Sequence, residues 1–145
     1  MRLVLDTSFL LELRKGKYSD LLREESVDVG DVGISILSLY ELLVGAYYLR
    51  EKGDYSELLW LDSLLRWVSI YPLDEEGIRL AAQLKANSMR RGDVYPDMDL
   101  LIATSVRPSK ILTCDEDHER MRDELREHGI EVVMCGKGHR GKRDA

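Results

Sequence analysis

Two cysteines, three prolines, three histidines and a single phenylalanine are all that this 145-residue chain has of those residue types. Cys114 and Cys135 lack the paired spacing of a metal-ligand motif, and the length suffices for one core without a disulfide or structural metal. His118, His128 and His139 are scattered, which argues against a histidine-built zinc site. Ser8 and Ser38 have no histidine at a comparable strand end, so a nucleophile-and-base triad is poorly supported. No apolar run nears the roughly 20 residues of a membrane span. The opening MRLVLD meets an aspartate after three apolar residues, unlike a secretory segment. Repeats and proline-rich linkers are absent as well. These gaps predict one cytoplasmic domain over residues 1–135, followed by a basic, disordered tail over 136–145 whose cations are Lys137, Arg140, Lys142 and Arg143. The tail would touch RNA or a partner protein, or be solvated with no role.

Excess positive charge is lacking too: 21 basic against 27 acidic residues give a net charge of −6. This excludes indiscriminate electrostatic binding of nucleic acid. It leaves open a nucleic-acid enzyme whose acids are gathered around divalent cations.

What the chain does have is alternation of strand and helix. Residues 2–5 read as a short buried strand, with a helix starting at Thr7. A second strand is expected over 33–37, with Ser38 opening a helix to about Arg50, and further helix over 54–66. A strand over 67–71 ends at Pro72, and the clearest helix runs from 75 to about 91, capped by Asp74 and closed by Gly92. Pro96 precedes the helix of PDMDLLIAT, which should stop near Pro108; a strand over 110–113, a charged helix over 116–128 and a last strand over 130–134 complete the pattern. Continuously apolar strands between helices mean a parallel sheet covered on both faces, an α/β fold. The stretch 39–49 with Leu58, Leu59, Trp60, Leu61, Leu64 and Leu65 is more apolar than one buried helix face requires, which suggests a dimer or partner interface.

Ligands of open parallel sheets bind at the carboxyl ends of the strands. Asp6, Asp115 and Asp117 follow strands, Glu41 lies in the opening of a helix behind Ser38, and Asp97 and Asp99 begin a helix that returns to the sheet. Each has an ordinary alternative: Asp6, Asp97, Asp99, Asp115 or Asp117 as a helix cap, and Ser38-x-x-Glu41 as a capping box. Together they make a pocket that is costly without a cation, and hard divalent ions, Mg²⁺ or Mn²⁺, suit carboxylate oxygens best. The chemistry open to such a pocket is metal-assisted hydrolysis of a phosphodiester.

The strings LVLDTSFLLEL (3–13), SILSLYELLVGA (35–46), PLDEEGIRLAAQL (72–84), PDMDLLIAT (96–104) and ILTCDEDHERM (111–121) resemble, in order and spacing, the PIN-domain family and its VapC-type toxins. The resemblance implies a PIN-like three-layer α/β/α sandwich around a parallel sheet and an endoribonuclease dependent on Mg²⁺ or Mn²⁺. It also implies a small VapB-like antitoxin that enters the active-site groove. It places the metal-binding and catalytic acids at Asp6, Glu41, Asp99 and Asp115, with Asp97 and Asp117 auxiliary. Thr7, Ser8, Ser38 and Thr113 match supporting hydroxyl positions. His118 departs from the pattern, standing where an aromatic ring is expected, and either packs as that ring would or binds a phosphate. Arg90, Arg91, Arg107 and Lys110 flank the acids in sequence and are candidates for RNA phosphates or plain solvated helix ends. The expected protein is a homodimeric toxin ribonuclease. The alternatives are an RNA-processing nuclease of the same family and a receiver-like phosphoacceptor domain.

Overall fold

Strand β1 (Arg2–Leu5) lies in the middle of a five-stranded sheet of order β3-β2-β1-β4-β5, completed by β2 (Asp31–Ser35), β3 (Ser69–Tyr71), β4 (Ser109–Thr113) and β5 (Ile130–Met134). All neighbours are parallel. This is a computed structural model, and it describes residues 1–136; the sequence-predicted tail cations Lys137, Arg140, Lys142 and Arg143 lie outside the described residues. A receiver-like order of 2-1-3-4-5 is not what the sheet shows.

Alternate strand residues point to opposite faces, and both faces are buried. Leu3, Leu5, Ile34 and Leu112 pack under α1 (Thr7–Arg14), α2 (Ser19–Ser26), α3 (Ile36–Glu51) and α4 (Ser56–Leu64). Val4, Ile111, Val132 and Met134 pack against α5 (Glu75–Arg91), α6 (Asp97–Ala103) and α8 (Arg122–Arg126). A short α7 (Glu116–Arg120) lies between β4 and α8. The result is the expected α/β/α sandwich. Among the described residues no helix is long and apolar enough to cross a membrane.

Several local expectations hold and several shift. Helix α5 spans Glu75–Arg91 as read, because Asp74 accepts a bond from the Gly77 N–H at 2.6 Å and Gly92 takes the left-handed conformation that ends a helix. The second helix begins two residues earlier than expected: Ser35, not Ser38, is its cap, accepting from the Leu37 N–H at 3.1 Å. The Ser38–Glu41 capping box is therefore not formed, and both side chains are left for other work. Helix α2 was not expected. The charged segment 116–128 divides at Met121, which is 1 % exposed and turns inward against the core.

The two cysteines meet at the carboxyl ends of neighbouring strands. Cys114 and Cys135 form a disulfide, with Cα atoms 5.0 Å apart. The register explains it: β4 pairs Thr113 with Met134, so the next residue of each strand falls side by side at the spacing of neighbouring strands.

Candidate active site

The chain order reverses beside β1, with β2 on one side and β4 on the other, so the carboxyl ends of β1 and β4 flank the switch point. Asp6 stands there, directly after β1 and 2 % exposed. It occupies the cap position of α1 yet makes no capping bond. Its Oδ2 instead accepts from Ser8 Oγ at 2.6 Å and from Thr113 Oγ1 at 2.8 Å. The buried carboxylate is thus hydrogen-bonded by two hydroxyls, one from its own helix and one from the neighbouring strand.

Thr113 ends β4 and couples Asp6 to the next acid, since its Oγ1 accepts from the Asp115 N–H at 3.0 Å. Asp115 does cap its helix, taking the Asp117 N–H on Oδ1 at 2.8 Å. The Ser8 hydroxyl accepts from the Cys114 N–H at 2.9 Å, which ties the β4 turn to α1.

Asp99 arrives from the other layer, in the first turn of α6, whose cap is Pro96 without a side-chain bond. Burial foremost, then the charges of Asp115, Asp6 and Asp117 and a hydrogen bond with Asp115, push its carboxyl up from 3.8 to about 7. Ligand atoms of Asp99, Asp115 and Asp117 all lie within 4.8 Å of one another, as do those of Asp6, Asp115 and His118, so Asp115 belongs to both groups. The donor set fits a hard cation: its atoms are mainly carboxylate oxygens, and their mutual repulsion is what a positive charge would relieve.

Glu41 lies outside both tight groups. Its Oε1 accepts at 2.7 Å from the Oγ1 of Thr7, the residue after Asp6, and that oxygen lies 2.9 Å from the buried Ser38 Oγ. Asp97 is exposed and paired with Lys85 at 2.9 Å. Asp117 is paired with Arg120 at 3.0 Å.

The basic candidates divide by position. Arg91 bonds Glu124 at 2.7 Å and the Tyr95 hydroxyl at 2.9 Å, and Arg90 is exposed beside it on α5. Arg107 pairs with Asp74 at 3.2 Å and Lys110 with Glu25 at 3.3 Å. Both stand at the amino end of β4, whereas the acids gather at its carboxyl end.

Sequence reasoning missed two groups that shape this rim. Arg120, besides holding Asp117, reaches the Val94 carbonyl at 3.1 Å and Asp93 at 3.4 Å, bracing the turn before α6. Lys85 bonds the Tyr95 carbonyl at 2.7 Å as well as Asp97. No local pattern announces either, because each bridges elements distant in sequence.

The PIN domain model matches residues 3–124 of the chain. The chain belongs to the PIN-domain family. This PIN domain is 33% identical over 107 residues to a VapC ribonuclease of Pyrococcus furiosus, covering 73% of the chain and 68% of the relative. Its fold matches VapBC2 of Rickettsia felis, solved with a promoter DNA fragment, at a TM-score of 0.74 and 17% identity over 92% of this chain and 99% of that one. VapBC-1 of nontypeable Haemophilus influenzae matches at 0.73 with 18% identity, covering 92% and 98%. VapBC-5 of Mycobacterium tuberculosis matches at 0.67 with 22% identity, again over 92% and 98%.

Proposed function

We propose that this PIN domain is a divalent-cation-dependent endoribonuclease and the toxin of a VapBC-type pair. The observation that carries the reading is the convergence of Asp6, Asp99 and Asp115 from three separate segments, with Asp115 within 4.8 Å of a ligand atom of each of the other two. A crowded set of carboxylates suits hydrolysis of a phosphodiester. The VapC ribonuclease of P. furiosus and the VapBC structures favour the same reading.

Asp6, Asp99 and Asp115 would hold the ion, Mg²⁺ or Mn²⁺, with Glu41 as the fourth acid and Asp97 and Asp117 auxiliary. The ion would supply Lewis-acid polarisation of the phosphate and acidify water. The chain's own part is orientation: Ser8 and Thr113 fix Asp6, Thr7 fixes Glu41, and α6 brings Asp99 in from the opposite layer. Single-stranded or looped RNA is the substrate form whose backbone can enter such a pocket. Arg90 and Arg91 would meet its phosphates; Arg107 and Lys110, at the amino end of β4, would serve only a longer path.

A VapB-like antitoxin is the proposed partner. Its surface is supported by a stripe on α3, where Ile36, Tyr40, Val44, Tyr47 and Tyr48 recur at helical spacing and are all exposed, with Leu59 of α4 exposed as well. Homodimerisation is proposed on the same ground of excess apolar surface on these helices.

Cleavage of a mixed set of structured RNAs with Mg²⁺, Mn²⁺ or EDTA, beside Asp99→Asn, tests the activity. Metal-dependent cleavage that disappears in the variant supports it, and equal cleavage by the variant sinks the site. Growth arrest on expression without a partner separates the toxin from an RNA-processing enzyme.

A further inference from the structure

His118 is 0% exposed, in a helix otherwise made of charged residues. Its ring spans two parts of the acid pocket that come from opposite layers. Nε2 lies 3.2 Å from the backbone carbonyl of Asp99. Nδ1 lies 3.4 Å from Thr113 Oγ1 and 3.8 Å from Asp6 Oδ2. A carbonyl offers only lone pairs, so Nε2 must carry the proton and donate to Asp99. That bond fixes the first turn of α6 against the ends of β1 and β4.

The geometry sets His118 apart from a direct ligand. Asp6 Oδ2, the oxygen facing the ring, already accepts the Ser8 and Thr113 hydroxyls. The ring therefore lies on the anchored side of that carboxylate. A plain packing residue, in turn, would have no need to place a donor on the carbonyl of one site acid while its other nitrogen faces another.

We propose that His118 is a positioning residue: it holds Asp99 at ion-sharing distance from Asp115 against the repulsion of the neighbouring acids, setting the affinity of the pocket for a divalent cation. The proposal rests on the reading that these acids bind such a cation. Groups that orient metal ligands from behind typically change affinity by about 10- to 100-fold when removed.

The test is Mn²⁺ binding alone, followed by calorimetry and by the electron-paramagnetic-resonance signal of the free ion, with thermal unfolding alongside. His118→Phe keeps a ring and loses the bond to Asp99; His118→Gln can still reach the Asp99 carbonyl, and His118→Asn is too short to do so. The expected result is affinity lowered about 10- to 100-fold in His118→Phe and His118→Asn and largely restored in His118→Gln. Should His118→Phe not fold, the Gln and Asn pair decides alone. Affinities within twofold of the parent in Phe or Asn, or equal losses in Asn and Gln, overturn the proposal. So does a nitrogen-14 coupling from the ring on bound Mn²⁺, which would make His118 a ligand. Asp99→Asn run in parallel keeps the two failures apart: if it too binds Mn²⁺ like the parent, the acid pocket itself has been misread.

Discussion

Thr113 Oγ1 donates to Asp6 Oδ2 across 2.8 Å, although 107 positions separate the two residues. The same oxygen accepts the Asp115 N–H, so one hydroxyl sets the distance between the acids that follow the two central strands. Thr113→Val keeps the shape and removes the hydroxyl. It leaves a buried carboxylate one donor short, and we expect a loss of about 1–3 kcal/mol in urea unfolding, together with weaker Mn²⁺ binding. Unchanged values for both would show that Ser8 alone suffices to hold Asp6.

Asp99 gives the pocket a pH dependence of fixed sign. Its carboxyl is raised from 3.8 to about 7, so the folded protein binds more protons than the unfolded chain between those values. Without a cation, stability therefore falls as pH rises from about 4 to about 7 and the contribution levels off above that. Asp99→Asn should flatten this slope in thermal melts with EDTA. A cation must displace the same proton, so apparent Mn²⁺ affinity should drop by about tenfold per pH unit below the raised value and be level above it. Calorimetry in buffers of different ionisation enthalpy would count the proton released; finding none at pH 6 would contradict the shift.

The disulfide joins residues at a sequence separation of 21 and closes a loop that contains α7, α8 and β5. Loop-closure entropy makes such a bridge worth about 3 kcal/mol. The double change Cys114→Ser, Cys135→Ser should lower the urea midpoint accordingly, and a dithiol reductant should reproduce the effect on the parent alone. Equal midpoints with and without reductant would count against the bridge.

Gly33 of β2 has no room for a side chain. A Cβ there would stand 2.6 Å from the Ser69 carbonyl oxygen and 2.6 Å from two ring carbons of Tyr71. The ring is anchored, because the Tyr71 hydroxyl donates to Asp31 at 2.7 Å, and the carbonyl belongs to the paired strand. Gly33→Ala should cost about 1–3 kcal/mol by overpacking. A neutral result would mean that β3 shifts freely at the sheet edge.

The parts of this molecule that were legible in its sequence are those governed by local chemistry or by a rule of the fold. Asp74 and Gly92 bound α5 because capping is decided within a few residues. Asp6 and Asp115 could be placed at one sheet edge because parallel strands all end on the same side. Ser35 and Ser38 are both serines at the mouth of α3, and only the end of β2 decides which caps it. The Cys114–Cys135 bridge depends on the β4–β5 register, which no single strand encodes. Lys110 is near Thr113 in sequence, yet three steps along an extended strand carry it about 10 Å from the acids' end. Lys85, Arg120 and His118 act on elements met much earlier or later in the chain, so their partners emerge only from the packed layers.

The central strand waits for a partner made more than a hundred residues after it. β1 is made before the other four strands of the sheet, but it is the central one, and one of its two neighbours is formed by residues 109–113. A nascent chain that has reached Asp99 already carries Asp6 and Glu41, yet it has neither the Thr113 hydroxyl nor Asp115 to join them. The acid pocket therefore waits for β4, and a truncated translation product that ends before β4 carries Asp6, Glu41 and Asp99 without the means to assemble them.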